Sequence, residues 1–111
     1  MPRDYKASLE DMLESIGKIE RYTAPLSFTS FVQDEKTLDA VVRNLEIIGE
    51  AVKQLPAEFR AARPEGDWQK IAGLRDILIH EYFGIDVEII WDIVQNKLPE
   101  LRHVIEQAIC E

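Results

Sequence analysis

The chain has 111 residues, 46% hydrophobic and 31% charged, which is enough for one core and is the balance of a folded globular domain rather than a disordered one. Its net charge of −8 argues against broad, non-specific binding to duplex DNA, which depends on neutralising many phosphates. No apolar run is long enough to span a bilayer, the N-terminal MPRDYKASLEDM lacks an apolar signal core, and the single Cys110 cannot form an internal disulfide; a cytoplasmic protein with no membrane partner is expected.

The apolar spacing is helical nearly throughout, with no strict two-residue alternation. Leu9, Met12, Leu13, Ile16 and Ile19 recur at three- and four-residue steps and predict a first helix over about 5–22, with Asp4 as a candidate N-cap and Pro25 as its terminator. Leu38, Val41, Val42, Leu45, Ile48, Ala51, Val52 and Leu55 predict a long second helix starting at about Ser30 or Asp34. Residues 56–62 read as a short helix with Pro56 in its first turn, and 63–66 as a loop. Asp67 is a candidate N-cap for a helix over about 68–81, closed by Gly84. Gly73 inside that helix costs about 1 kcal/mol against alanine and is read as a site of close helix packing. Asp86 caps the last helix, whose pattern continues to Ile109 across Pro99; the proline is expected to kink or divide it at Lys97-Leu98. The fold expected is all-α, a single domain over 1–111: an antiparallel bundle of four main helices plus a short one, with homodimerisation as a way to cover leftover apolar surface.

Little of this points to metal or nucleotide chemistry. There is no HExxH, no cysteine pair and no glycine-rich phosphate loop, and His103 reads as a structural or surface residue. No metal site or cofactor is expected. The basic side chains concentrate in the middle third, where Arg43, Lys53, Arg60, Arg63, Lys70 and Arg75 form the one region able to attract a phosphate; most read as ordinary solvated charges. Asn44, Glu46 and Glu50 either line a site or lie on the wet face of the second helix.

The segment from Gly73 to Gly84 is different, because Arg75, Asp76, His80 and Tyr82 gather near one helix end among apolar residues. Asp76 and His80 are i,i+4 neighbours, so the carboxylate can orient the imidazole and favour its protonated form. Arg75 and His80 lie about 140° apart around the axis, so one helix does not aim both at a point. A symmetric partner helix would bring two of each together. Such a cluster suits phosphodiester cleavage: histidine moves protons near neutral pH, arginine binds phosphate oxygens, and RNA supplies its own 2′-hydroxyl nucleophile. From residue types alone, a structural Arg–Asp link with a helix-capping histidine accounts for the same residues, and Tyr82 can be an ordinary core tyrosine.

Arg75-x4-His80-x-Tyr82 resembles the RxxxxHxY signature of HepT-like proteins in the HEPN superfamily. Residues 43–51 (RNLEIIGEA), 68–76 (WQKIAGLRD), 82–86 (YFGID), Trp91 and Leu98-Pro99 extend the resemblance over about 4–107. It implies an all-helical homodimer acting as a metal-independent endoribonuclease toxin of a type VII toxin–antitoxin module. Arg75 and His80 would be its catalytic residues and Asp76, where the family commonly has Asn, a supporting one. The implied partner is a minimal nucleotidyltransferase (MNT-type) antitoxin that adenylylates Tyr82. The alternative is a non-catalytic binding or regulatory subunit of such a nucleotidyltransferase.

Overall fold

A computed structural model describes residues 5–80 and 86–110, and of Arg75, Ile77, Ile79 and His80 only the backbone. Among these residues the structure is all-α, without strands. Helix α1 spans Tyr5–Thr23, α2 Phe28–Gln33, α3 Glu35–Lys53, α4 Ala57–Ala61, α5 Trp68–His80, α6 Val87–Asp92 and α7 Leu98–Cys110. A 3₁₀ turn, Pro64–Gly66, precedes α5, and a π-helical turn, Ile93–Lys97, joins α6 to α7. The expected N-cap Asp4 and the expected helix-closing Gly84 lie outside the described residues, as does Glu81 at the expected end of α5.

Helix α3 is the centre of the molecule and packs against both α1 and α5, while α7 lies on α1. Leu9, Met12, Ile16 and Ile19 of α1 are fully buried, as the spacing predicted. They meet Val41, Leu45, Ile48 and Val52 of α3 in one core that also takes in Leu78, Ile90, Leu98, Leu101 and Ile105. Arg102 of α7 and Glu20 of α1 form an ion pair across the edge of this core.

The second predicted helix begins at Glu35, not Ser30, because Asp34 caps it there. The Asp34 carboxylate accepts the Thr37 N–H at 3.0 Å and the Thr37 hydroxyl at 2.8 Å. The backbone bond, then the hydroxyl bond, holds its carboxyl below the ordinary aspartate range. An acid with a depressed folded-state pKa stabilises the fold above its unfolded pKa and loses that contribution as pH falls through the folded one. Asp34→Asn should therefore lower the melting temperature near neutral pH and converge on the parent chain in acid; a difference that stays constant down the titration would contradict this.

The residues before the cap form α2, which the apolar pattern did not single out. Ser27 and Ser30 make a reciprocal capping box: the Ser27 hydroxyl accepts the Ser30 N–H at 3.2 Å, and the Ser30 hydroxyl accepts the Ser27 N–H at 2.8 Å. The short helix turns Phe31 inward, where its ring lies 4.9 Å from that of Trp91.

Pro56 occupies the N-cap of α4 rather than its first turn, with extended backbone (ψ 147°), and the helix starts at Ala57. Phe59 of α4 stands between Tyr5 and Trp68, with ring centroids at 5.2 and 5.8 Å. Asp67 enters α5 in the left-handed conformation (φ 52°), tolerable for aspartate, and its carbonyl accepts the Ile71 N–H at 3.1 Å. The Trp68 indole donates to the Arg63 carbonyl at 2.8 Å and folds over Gly66, where a Cβ would sit 2.3 Å from the ring.

Asp86 caps α6 as expected, its carboxylate accepting the Glu88 N–H at 2.9 Å. The disruption at Pro99 takes a specific form. Proline cannot donate to the carbonyl four residues back and its ring crowds that carbonyl. The preceding turn widens, the Leu98 N–H bonding to the Ile93 carbonyl five residues earlier, and α7 then continues from Leu98.

No described helix is long and apolar enough to cross a membrane.

Candidate functional site

Arg75, Asp76 and His80 of the motif lie on the second half of α5. The backbone of Arg75, Asp76 and His80 is helical, so the i,i+4 relation of Asp76 to His80 and the angular separation of Arg75 from His80 both stand as helix positions. The side chains of Arg75 and His80, and Tyr82 altogether, lie outside the described residues. Leu78 is 1% exposed and anchors this half of α5 in the core.

Asp76 is exposed, and its carboxylate accepts a hydrogen bond from the Lys53 ammonium at 3.0 Å. Lys53 is the last residue of α3, so the pair ties the end of that helix to the second half of α5. A cation there also meets the unpaired carbonyls of a helix C-terminus favourably. Sequence reasoning placed Lys53 only among the solvated charges of the middle third; 23 residues separate it from Asp76, and only the crossing of α3 and α5 joins them. As an exposed ion pair it adds about 0–1 kcal/mol to stability.

Two other basic residues of the middle third have local contacts. Arg63 lies 4.1 Å from the centre of the Phe59 ring, and Arg43, largely exposed, sits 3.8 Å from Glu46. Asn44 is not on the wet face of α3: it is 7% exposed and donates its amide to the Ala40 carbonyl at 2.8 Å. Glu46 is half-buried and Glu50 exposed. His103 and Cys110 are exposed on α7.

The packing explanation for Gly73 is corrected by the structure. A Cβ built there meets no described atom within 4 Å, so among the described residues no neighbouring helix requires the glycine. Gly73 is seven residues before His80 and thus on the same strip of α5.

A half-open cleft of about 220 Å³ lies beside the first turns of α5, floored by Ile71, Leu74, Ile93 and Leu101. Its rim mixes Lys70 and Lys97 with Glu65, Asp67 and Glu100, a charge set that selects neither anions nor cations. Among the described residues no three His, Cys, Asp or Glu side chains gather closely enough to hold a metal ion.

Comparison with known proteins places this arrangement in a family. The ribonuclease HepT-like family matches residues 12–108. A Methanocaldococcus jannaschii protein named "Putative RNase MJ0127" is 50% identical over 98% of this chain and 91% of its own length. A Thermococcus cleftensis protein named "Probable ribonuclease HepT" is 45% identical over 96% of this chain and 97% of its own. "Putative RNase TTE0752" of Caldanaerobacter subterraneus is 44% identical over 97% of this chain and 94% of its own. No solved structure matches. With Arg75, His80 and Tyr82 in RxxxxHxY spacing, the first two at helical positions of α5, and with relatives of this identity over nearly its full length, the chain belongs to the HepT-like ribonuclease family.

Proposed function

We propose that the protein is a metal-independent endoribonuclease, the toxin of a type VII module, acting as a homodimer and silenced when an MNT-type nucleotidyltransferase adenylylates Tyr82. The observation that carries this reading is the RxxxxHxY spacing on and just beyond α5 in a chain matched to the family over residues 12–108. In the reaction, the RNA 2′-hydroxyl loses its proton to an imidazole and its oxygen attacks the adjacent phosphorus. The bond from phosphorus to the 5′-oxygen breaks, and that oxygen takes a proton. The products are a 2′,3′-cyclic phosphate and a 5′-hydroxyl. His80 serves as base or acid. Arg75 neutralises charge growing on the phosphate oxygens.

A two-fold partner suits this chemistry, because two protons move and Arg75 and His80 diverge on one helix. His80 of one protomer takes the first proton and the partner's His80 supplies the second. The open space around Gly73, on the His80 strip, supports close approach of a second helix or of the RNA backbone. Adenylyl transfer would join the Tyr82 phenol oxygen to the α-phosphorus of ATP and release pyrophosphate. The added AMP brings bulk and negative charge beside the two catalytic positions.

The test is cleavage of RNA by the purified chain, with chelator present in every cleavage assay and added only after any treatment with nucleotidyltransferase and ATP. The expected result is fragments ending in 2′,3′-cyclic phosphate, lost after incubation with the cognate nucleotidyltransferase and ATP but retained in Tyr82→Phe. No cleavage by unmodified protein would favour the non-catalytic subunit instead.

A further inference from the structure

We propose that the aromatic patch between α2 and α6 is the docking surface for the enzyme that modifies Tyr82, a partner with an apolar centre and a cationic rim. The inference rests on the adenylylation reading above. Phe28 and Val32 lie one turn apart on α2, and Val87 and Trp91 one turn apart on α6. Phe28 meets the Trp91 ring at 6.1 Å, which joins the two helices into one apolar surface. Phe31, packed on the same indole, and Ile90 are buried and fix that surface to the core. Phe28, Val87 and Trp91 are only half-buried, and Val32 is 45% exposed. Large rings held in place yet not fully covered are the composition of an interface hot spot.

The charges around the patch decide what can cover it. Residues 28–35 and 86–96 hold Asp34, Glu35, Asp86, Glu88 and Asp92 and no lysine, arginine or histidine; Lys36 and Lys97, the first bases past them, leave the sum acidic. All five carboxylates except the half-buried Asp34 are exposed. Among the described residues no cation pairs with Asp86, Glu88 or Asp92: Asp86 caps its own helix, and Asp92 accepts the Asn96 amide at 2.6 Å. Such a rim repels RNA. A second copy fares no better, because a two-fold contact sets the same acidic rim against itself. An enzyme that binds the triphosphate of ATP needs cationic groups at the mouth of its site, and these match the rim in sign. The position also fits the modification. Val87 follows Tyr82 by five residues, a span of at most about 18 Å even in extended chain, so a partner seated on the patch is held close to the phenol that it modifies.

Val32→Arg and the double variant Glu88→Lys with Asp92→Lys test the surface, all at exposed positions that the core does not use. The assay follows AMP transfer from ATP to Tyr82 by the cognate nucleotidyltransferase, read by mass, with RNA cleavage in chelator measured separately on unmodified protein. Each variant should raise the KM for the chain as protein substrate by about tenfold or more. The kcat of AMP transfer and the rate of RNA cleavage should stay within about twofold of the parent, which shows that the fold and the RNA-cleaving site are intact. The parent KM should itself rise with salt, and the charge-reversed variant should lose that dependence.

A parental KM for AMP transfer in either variant overturns the inference. If AMP transfer is unchanged while self-association by sedimentation or the KM for RNA shifts, the patch belongs to a second copy or to RNA, and the inference is overturned as well. In these cases modification of the parent chain at Tyr82 leaves the adenylylation reading intact. A parent chain that is not modified removes that reading, and the inference with it.

Discussion

His80→Ala is expected to lower RNA cleavage in chelator by about 10²–10⁴-fold, the span set by loss of a positioned proton-transfer group. Arg75→Ala is expected to cost about 10²–10³-fold, the scale for removing one donor from developing negative charge. Both should leave the helical content unchanged. Their backbones lie within α5, whose attachment to the core runs through Trp68 and Leu78, 5% and 1% exposed. The measurement is initial cleavage rate on one RNA, with far-ultraviolet circular dichroism of each variant beside it. Parent-like cleavage by either variant would remove that residue from the chemistry. Mixing the two inactive variants adds a further discrimination. If the site needs only Arg75 of one protomer and His80 of the other, heterodimers carry one such intact pairing and regain part of the activity; if it needs both His80 imidazoles, as base and as acid, they do not, because the heterodimer holds only one. A site complete within one protomer would not be restored by mixing.

Phe31→Ala is expected to destabilise the fold by about 3–5 kcal/mol, the range for removing a buried aromatic ring. For a domain of this size that corresponds to a fall in melting temperature on the order of 15 °C. Phe31 is fully buried although it belongs to a helix of six residues, and its ring packs against Trp91, which also meets Phe28 at 6.1 Å. The substitution therefore opens a cavity and also frees α6 from its contact with α2. Neither element has enough length to hold its helical form without tertiary packing. Thermal unfolding followed by circular dichroism, together with Trp91 fluorescence, reads both effects. A shift of only a few degrees would mean that the neighbouring side chains close over the cavity.

Several of these features were legible in the chain itself. The steps Leu9, Met12, Ile16 and Ile19 define the buried face of α1 because a helix brings every third or fourth residue round to the same side. Asp86 was readable as a cap because a short carboxylate satisfies the free N–H groups of a first turn, whereas Asp34 stood only as one of two starts for the second helix. Helix α2 was hidden because its stabilisation is a serine pair and one buried ring, not a repeating stripe. The close packing that a helical glycine suggests at Gly73 is not made by any described residue of its own chain. The helical backbone at Arg75 and His80 was legible from spacing alone. The Lys53–Asp76 pair was not, since the meeting of two charges from α3 and α5 is set by a helix crossing that no local pattern encodes.

The π-helical turn has a consequence for chain length. Ile90, Val94 and Leu98 are all buried at successive four-residue intervals, whereas a straight α-helix would drift about 40° at each such step. The wider turn over Ile93–Lys97 absorbs a residue and keeps α6 and α7 facing the same core. It is an expansion joint, the place along 87–110 where the polypeptide can accommodate one residue more than a regular helix without turning the buried side of α7 outward. Shortening the joint by that residue would bring back the regular helix, and with it the collision of the Pro99 ring with the carbonyl one turn behind. Proline and extra residue therefore form a matched pair, and descendants of this chain would be expected to lose both together rather than either alone.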